Sequence, residues 1–182
     1  LRRESTQLGN LLDKAQKLYR PSFPGAFHHG TENRWYFPSG ANVRFGHCKD
    51  EADKFNYQGD EFHTIFFDEL THFTEGQFTE IASRIRSPEP CLPRYLRASS
   101  NPGGPGHDWV LRRFGAWLNP DFEAEGLPVR KAPDGRRLPP AAPGQVLWVL
   151  KPKDSAEVYV PRGTPKAKSR LFLPSTLADN PA

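Results

Sequence analysis

Two adjacent carboxylates, Asp68 and Glu69, follow the apolar run FHTIFF, which is typical of a β-strand covered on both faces. A buried carboxylate without a partner is costly, so we expect the pair where the strand opens onto solvent, a metal ion or a phosphate. In a nucleotide hydrolase the first acid holds Mg²⁺, usually through water, and the second orients or deprotonates the attacking water. Taken alone, the pair fits this role and simple capping of the following turn equally well.

A second polar segment, Ser99-Ser100-Asn101, ends the predicted strand RYLRASS, and Ser99 lies thirty-one residues after Asp68. Ligands of an open parallel sheet bind at the carboxyl ends of its strands, so the two segments are expected at the same edge. Hydroxyl and amide groups there could sense the γ-phosphate or the metal, or could form an ordinary polar exit into a turn. Two polar strand ends in this order favour the catalytic interpretation.

Other candidate groups give weaker signals. Arg84 and Arg86 lie on or just beyond the helix predicted after the acidic pair, where they could reach a phosphate in a neighbouring subunit or be solvated cations at a helix end. His63 and His72 could complete a metal-hydrolase site with Asp68, but they lack the HxxxH or HExxH spacing of helical zinc ligands. The glycines of NPGGPGHDW favour a tight turn, because these 182 residues contain no G-x-x-x-x-G-K sequence of a phosphate-binding P-loop.

Hydrophobic periodicity predicts an α/β fold. Helices are predicted at STQLGNLLDKAQKLY with Ser5 as its cap, after the capping box of Thr74 and Gln77, and at GHDWVLRRFGAWL. Strands are predicted at Leu1–Arg3, RWYF, NVRF, FHTIFF and RYLRASS, and the late segments QVLWVLK, AEVYV and SRLFL could form an appended sheet or hairpin. Strand and helix alternate with short connections, which predicts a parallel sheet flanked by helices.

Composition limits the class of protein. Basic residues concentrate between Asp121 and Arg170 and the net charge is +4, which favours an anionic partner, although scattered cations commonly mark only a solvated surface. No segment approaches the roughly 20 apolar residues of a membrane span. The two cysteines have no metal-site spacing and fit a reducing compartment. Methionine is absent even at position 1, so we expect the sequence to be a piece of a longer protein.

Several motifs in a fixed order resemble one protein family. YQGDEFHTIFFDELTHFTEGQF, SRIRS and RASSNPGGPGHDWVLRRF resemble the large terminase subunit of tailed bacteriophages and prophages, the motor and nuclease that packages DNA into a procapsid. LRRESTQLGNLLDKAQKLY, FPSGANVRFGH and SRLFLPSTLADNPA are similar to further segments of that family. The resemblance therefore covers nearly the whole chain and is densest between residues 57 and 114.

The resemblance implies an incomplete P-loop NTPase-like core, a parallel sheet flanked by helices. Residues 1–120 would form the ATPase core without its P-loop, which would precede Leu1. Residues 121–168 would form a Pro/Gly-rich basic region with possible small strands, and residues 169–182 would begin a linker toward a nuclease domain. Taken alone, such a chain should neither hydrolyse ATP efficiently nor cut DNA.

The same resemblance implies functional roles and partners. Asp68 matches the Mg²⁺-associated acid, Glu69 the catalytic glutamate, and Ser99-Ser100-Asn101 the coupling motif that links ATP hydrolysis to DNA movement. The implied partners are double-stranded DNA, the small terminase subunit, the portal protein and further copies of the chain in a ring, in the host cytoplasm at the procapsid and without a membrane. Gln58 precedes Gly59 where some relatives carry an arginine that could act as a finger across subunits, so the source of such a finger stays open.

Two alternatives come from other classes of protein. A helicase-like translocase also pairs an Asp-Glu motif with a later Ser-containing motif, but DELTH departs from its usual DExH or DEAD form and NPGGPGHDW has no counterpart there. A non-catalytic DNA-binding or assembly module would use the basic residues 121–170. Its affinity for DNA would depend on salt and be indifferent to nucleotide and to Asp68→Asn.

Overall fold

The computed structural model describes residues 1–86, 92–117, 140–151 and 157–175. The chain divides into two compact units, Leu1–Asp108 and Trp109–Ala182. The first unit contains α1 (Leu8–Ser22), β1 (Phe27–His29), β2 (Arg34–Tyr36), β3 (Asn42–Arg44), β4 (Thr64–Phe67), α2 (Glu75–Ala82) and β5 (Tyr95–Ala98). The second contains β6 (Leu147–Leu150), β7 (Val158–Val160) and β8 (Lys168–Arg170), and α3 (His107–Phe114) spans the boundary.

The centre of the first unit is a parallel pair, β4 and β5, in a register that runs from Thr64 opposite Tyr95 to Phe67 opposite Ala98. The first residues of the chain extend this pairing on the other side of β4. The Leu1 nitrogen donates to the Phe66 carbonyl at 2.6 Å, and the Asp68 N–H donates to the Leu1 carbonyl at 2.9 Å. Arg2 in turn forms a parallel bridge with His47. The strand end expected at Leu1–Arg3 is thus present as a short extension.

The mixed α/β class is confirmed, but the predicted parallel sheet is present only in part. The described residues contain one parallel two-stranded sheet and two three-stranded antiparallel sheets, ordered β1-β2-β3 and β7-β6-β8. A parallel pair needs a long crossover connection, and α2 supplies one between β4 and β5. The strands predicted at RWYF and NVRF are observed as β2 and β3, which pair antiparallel on either side of the Pro-Ser-Gly segment. A helix-flanked P-loop core is not shown by these sheets.

The core of the first unit lies on one face of β4. Ile65 and Phe67 are buried, and the Phe67 ring packs 5.2 Å from Phe73 and 5.4 Å from Phe78 of α2. Phe66 points to the other face, as alternate strand residues must, and 54% of its surface is exposed. The expectation that FHTIFF is covered on both faces is therefore wrong within the described part of the chain, where α2 packs on one face only.

The helix predictions need two corrections. α1 begins at Leu8, after a 3-10 turn over Ser5–Gln7 that is capped by Glu4, so Ser5 is not the cap. Helical periodicity predicts Leu18 on the same face as Leu8 and Ala15, which are buried, but 60% of the Leu18 surface is exposed. The capping box of α2 is confirmed: the Gln77 N–H donates to Thr74 Oγ1 at 3.1 Å, and the Thr74 N–H donates to Gln77 Oε1 at 3.0 Å.

The second unit is built on the antiparallel β6–β8 sheet, so the late segments form a sheet as predicted. Its core joins Leu147 of β6 to Ala116, Trp117 and Ala141, with Phe114, Tyr159 and Phe172 packed at the border. The helix predicted through Leu118 ends as α3 at Phe114 and continues as a 3-10 turn to Trp117. Residues 121–139 and 152–156 of the predicted basic region lie outside the described residues, as do residues 176–182 of the predicted linker. No helix within the described ranges is long and apolar enough to cross a membrane.

Candidate functional site

The acidic pair lies at the carboxyl end of β4, where the backbone turns sharply. Glu69 has φ 58° and ψ 63°, in the left-handed region that few residues other than glycine occupy. A 3-10 turn over Leu70–His72 follows it. Consecutive strand residues point to opposite faces, so this change of direction is what allows Asp68 and Glu69 to serve the same edge of the sheet.

The end of β5 brings the second polar segment to these acids. The Ser99 hydroxyl donates to Asp68 Oδ1 at 2.7 Å. The Asn101 amide nitrogen lies 3.1 Å from Glu69 Oε1 and 3.3 Å from Oε2, so it donates to the carboxylate. Each acid of the pair therefore has a partner from the neighbouring strand, and the two segments meet at one edge of the sheet.

The turn after Glu69 is also fastened to β5 through the backbone. The Leu70 N–H donates to the Ser99 carbonyl at 2.8 Å, and the Thr71 N–H donates to the Ser100 hydroxyl at 3.1 Å. The hydroxyl of Thr71, which is buried, donates to the Asn101 carbonyl at 2.9 Å. A displacement of Ser99–Asn101 would consequently change the position of the Glu69 backbone. Thr71 was not selected from the sequence, because its partners lie some thirty residues away.

The glycine-rich loop packs against the same turn. The Gly106 N–H donates to the Thr71 carbonyl at 2.7 Å, and the Gly103 N–H donates to His107 Nδ1 at 3.0 Å. Gly104 has φ +82°, and a Cβ atom there would lie 2.7 Å from the Thr71 carbonyl oxygen. The loop is thus a tight turn, as predicted from the sequence, and its close approach to Thr71 requires glycine at position 104.

Arg2 completes the surroundings of Asp68. Its Nε donates to Asp68 Oδ2 at 2.6 Å and its Nη2 lies 2.5 Å from the same oxygen, while Nη1 donates to the Gln7 carbonyl at 3.3 Å. Sequence reasoning did not select Arg2. A signal was nevertheless present, since Arg2 lies near the end of a predicted strand. Asp68 and Ser99 were selected as candidates because they lie at such strand ends.

The pKa of Asp68 reflects these contacts. Partial burial acts to raise it, but the hydrogen bonds from Ser99 and Arg2 and the positive charge of Arg2 outweigh burial, so that the pKa lies below its ordinary value. Asp68 is therefore a carboxylate at neutral pH. The oxygen donors of Asp68 and Ser99 are of the hard kind that Mg²⁺ prefers, so these residues fit the cation that the sequence implied. The guanidinium of Arg2 is the positive charge closest to Asp68 Oδ2.

The remaining candidates lie elsewhere. Ile85 forms a bridge with Phe62, which precedes β4, so Arg84 and Arg86 flank the end of the strand opposite to Asp68. Arg84 pairs with Glu80 of α2. His63 also precedes β4, and the described part of the chain holds no group of three His, Cys, Asp or Glu side chains that could bind a metal ion. His63, Asp68 and His72 are therefore not assembled into the metal-hydrolase site considered from the sequence.

Comparison with known proteins places this geometry in a family context. A family model described as terminase large subunit, T4likevirus-type, N-terminal, matches residues 2–126, more than half of the chain and the whole of the Asp68–Asn101 site. No curated protein and no solved structure matches the chain.

Proposed function

The chain belongs to the T4likevirus-type family of terminase large subunits, which act in phage DNA packaging, and from this premise we propose that it is part of an ATP-driven packaging motor. The Asp68–Glu69 pair would be the catalytic acids of the ATPase and Ser99-Ser100-Asn101 its coupling segment. The observation that carries this proposal is the convergence of two strand ends, in which Ser99 contacts Asp68 at 2.7 Å and Asn101 contacts Glu69 at 3.1 Å.

Each acid has a distinct proposed task. Asp68, ionised and held by Ser99 and Arg2, would bind Mg²⁺ through water. Bound there, Mg²⁺ would neutralise negative charge on the β- and γ-phosphates during phosphoryl transfer. Glu69 would orient the attacking water and accept its proton, since the left-handed backbone turns its carboxylate out of the strand direction. Asn101, which donates to that carboxylate, would fix its orientation.

The coupling segment would transmit the state of the site to the moving parts of the motor. Ser99 contacts Asp68 with its side chain, and its carbonyl accepts the Leu70 N–H. Loss of the γ-phosphate would alter the first contact and, through the rigid backbone pairing, shift the turn at Leu70–His72 and the glycine loop packed on Thr71. This chain of contacts supports a mechanical role for residues 99–101.

In the proposed motor, the residues that bind the ATP phosphates would belong to a P-loop that precedes Leu1. Two features support a neighbouring segment there. Among the described residues β5 pairs only with β4, so its second edge is open to another parallel strand. On the same sheet Phe66 and Tyr95 expose 54% and 39% of their surfaces, as expected of a face that a helix would cover. The complete core would then be the helix-flanked P-loop fold of residues 1–120, followed by the basic region 121–168 and a linker from residue 169 toward a nuclease.

The proposed setting follows from the family. Double-stranded DNA would be the cargo, the small terminase subunit and the portal protein the partners, and a ring of copies in the host cytoplasm the active assembly. Arg84 and Arg86 lie at the far end of β4, so we propose a phosphate contact for them only across an interface between copies.

The decisive test uses a protein that joins this chain to its P-loop segment. Glu69→Gln is expected to lower steady-state ATP hydrolysis by about 100-fold or more while a fluorescent ATP analogue still binds, because a general base is removed and no phosphate contact is lost. Glu61→Gln, the same change at an exposed position before β4, should leave both quantities unchanged. Hydrolysis at the parent rate in Glu69→Gln would show that Glu69 is not the base.

A further inference from the structure

The second unit contains a cleft that the proposed ATPase does not use. Trp148 of β6 lies directly opposite Val160 of β7 and Ser169 of β8, so these three side chains share one face of the sheet. Leu147 and Val149 point to the other face, where they are buried. Val146, 49% exposed, extends the Trp148 face by one more apolar side chain.

The cleft has room for one nucleotide. Its volume is about 570 Å³, and it is lined by Val146, Leu147, Trp148, Val160, Arg162 and Ser169. Ligand sites of small molecules commonly fall between about 300 and 1,000 Å³ and combine an apolar wall with a few polar groups. Here an indole ring and two valines supply the wall, and a guanidinium and a hydroxyl supply the polar groups.

Charge favours an anionic occupant. Residues 109–182 contain twelve basic and seven acidic residues, a net charge of +5, whereas residues 1–108 contain thirteen and fourteen, a net charge of −1. Glu157 is the single acid among the described residues of the second unit, and it is paired with Arg170 at 2.8 Å and with Arg113 at 3.7 Å. No described carboxylate therefore forms an ion pair with Arg162.

We propose that this cleft binds an unpaired nucleotide of a DNA strand, with the base stacked on Trp148 and the phosphate on Arg162. Stacking on an aromatic ring together with a cation for the backbone is the common chemistry of single-strand binding, and it requires a base outside the duplex. The site lies on an element separate from Asp68 and Glu69. The proposed nucleotide site therefore goes beyond the proposed ATPase. The outcome of the ATP hydrolysis test and the outcome of the single-strand binding test are independent of each other.

Intrinsic fluorescence tests the stacking directly. Trp35, Trp109 and Trp117 are buried, with 1%, 4% and 7% of their surfaces exposed, whereas Trp148 is half-buried. A 16-nucleotide single-stranded DNA is expected to quench the emission of the 182-residue chain, and a duplex of the same sequence to quench it much less. Trp148→Phe should abolish the quenching. Its affinity for a dye-labelled strand should stay within about threefold of the parent, because phenylalanine also stacks on bases.

Two charge variants separate a phosphate contact from general electrostatics. Arg162→Ala is expected to weaken single-strand binding about tenfold and to reduce the slope of log K against log salt by about one. Lys17→Ala removes the same charge from an exposed position on α1 and should change neither quantity. Circular dichroism melts would check that each variant is folded. Trp148→Ala adds a second test of stacking, and its affinity for the single strand is expected to be about tenfold weaker.

Four outcomes would overturn the proposal. Equal quenching by duplex and single strand would show that no base is unstacked onto Trp148. Displacement of the strand by equimolar ATP would assign the cleft to a free nucleotide. Quenching that rises with protein concentration in the absence of DNA would assign it to a second copy of the chain. An unchanged affinity and salt slope in Arg162→Ala would remove the phosphate contact.

Discussion

At the scale of single residues, Asp68 shows how one carboxylate can be kept ionised at the surface of a small sheet. A neutral hydroxyl from Ser99 serves one oxygen and the guanidinium of Arg2 serves the other. Both side chains of the ion pair are about a third exposed or less, at 28% for Arg2 and 32% for Asp68. Solvent therefore screens the attraction, and its main effect is to orient the carboxylate.

Replacing Arg2 should alter both the pKa and the stability. In Arg2→Gln the pKa of Asp68 is expected to rise, because burial raises this pKa and the hydrogen bond and positive charge of Arg2, which lower it, are lost. The free energy of unfolding at pH 7 should fall by about 0.5–1 kcal/mol. A carboxyl group whose pKa is lower in the folded state stabilises the protein at pH values above its unfolded-state pKa, about 3.9. That stabilisation is lost as the pH falls through the folded-state pKa. Urea unfolding of parent and variant should therefore differ at pH 7 and converge as the pH falls below the folded-state pKa of Asp68.

The matched control is Arg20→Gln, which removes an exposed cation near the end of α1. It should leave the stability nearly unchanged at both pH values. A difference between the parent and Arg2→Gln that persists at low pH would show that Arg2 stabilises the fold through packing and not through the charge of Asp68.

At the scale of elements, short connections hold the site together. The turn after Glu69 is clamped between the end of β5 and the glycine loop, with Thr71 contacting both. α2 is placed by its capping box, and the Thr74 hydroxyl also donates to Glu51, in the 3-10 helix Glu51–Tyr57, at 2.8 Å. The position of Asp68 and Glu69 thus depends on contacts that involve no ligand.

The clamp predicts unequal effects at two neighbouring glycines. Gly103 and Gly104 both have positive φ, at +100° and +82°, so alanine is strained at either position. A Cβ at Gly104 would in addition lie 2.7 Å from the Thr71 carbonyl oxygen, whereas nothing lies within 4 Å at Gly103. Gly103→Ala should cost about 1 kcal/mol and Gly104→Ala about 2 kcal/mol or more in urea unfolding. Equal costs would mean that Gly104 does not pack against Thr71.

The capping box gives a second prediction at this scale. Thr74→Ala leaves the Gln77 N–H without its side-chain acceptor and removes the contact to Glu51, so it should lower the free energy of unfolding by about 1–2 kcal/mol. Thr79→Ala, an exposed change within α2, serves as the control and should have little effect. Thermal melts followed by circular dichroism at 222 nm measure both. Equal melting temperatures would contradict a stabilising cap.

At the scale of the whole molecule, the chain combines two units of different charge. The first carries the acidic pair and a net charge of −1, and the second carries a net charge of +5. The phosphate-binding sequence that the proposed reaction requires is absent from these 182 residues. In the proposed function, the Asp68–Asn101 site would contact the phosphates from one side, and a P-loop would supply the opposite side.

The isolated 182-residue chain is therefore expected to show no ATP hydrolysis above background in the presence of Mg²⁺. Joining it to a preceding P-loop segment should restore hydrolysis and raise the melting temperature, because the open edge of β5 and the exposed face of Phe66 would be covered. Phosphate release measures ATP hydrolysis. A thermal melt followed with a dye that binds exposed apolar surface measures the melting temperature. Hydrolysis by the isolated chain that survives Glu69→Gln would contradict the proposed site.

The sequence by itself determined the features that depend on near neighbours along the chain. The hairpin of β2 and β3, the capping box of Thr74 and Gln77, the parallel strands β4 and β5 and the polar ends of both strands all follow from local periodicity and turn chemistry. These signals extend over a few residues, so they can be read without knowing the partner of each strand. They were sufficient to predict that Asp68, Glu69 and residues 99–101 meet.

Only the tertiary structure decided which groups surround them. The Arg2–Asp68 ion pair joins residues sixty-six positions apart, and its existence depends on Leu1 pairing beside β4. The exposure of Phe66 depends on which face α2 covers, and the left-handed backbone of Glu69 on the bonds that tie the following turn to β5. Such contacts are set by the pairing of strands distant in sequence, which local patterns do not encode because the same pattern is compatible with many neighbours.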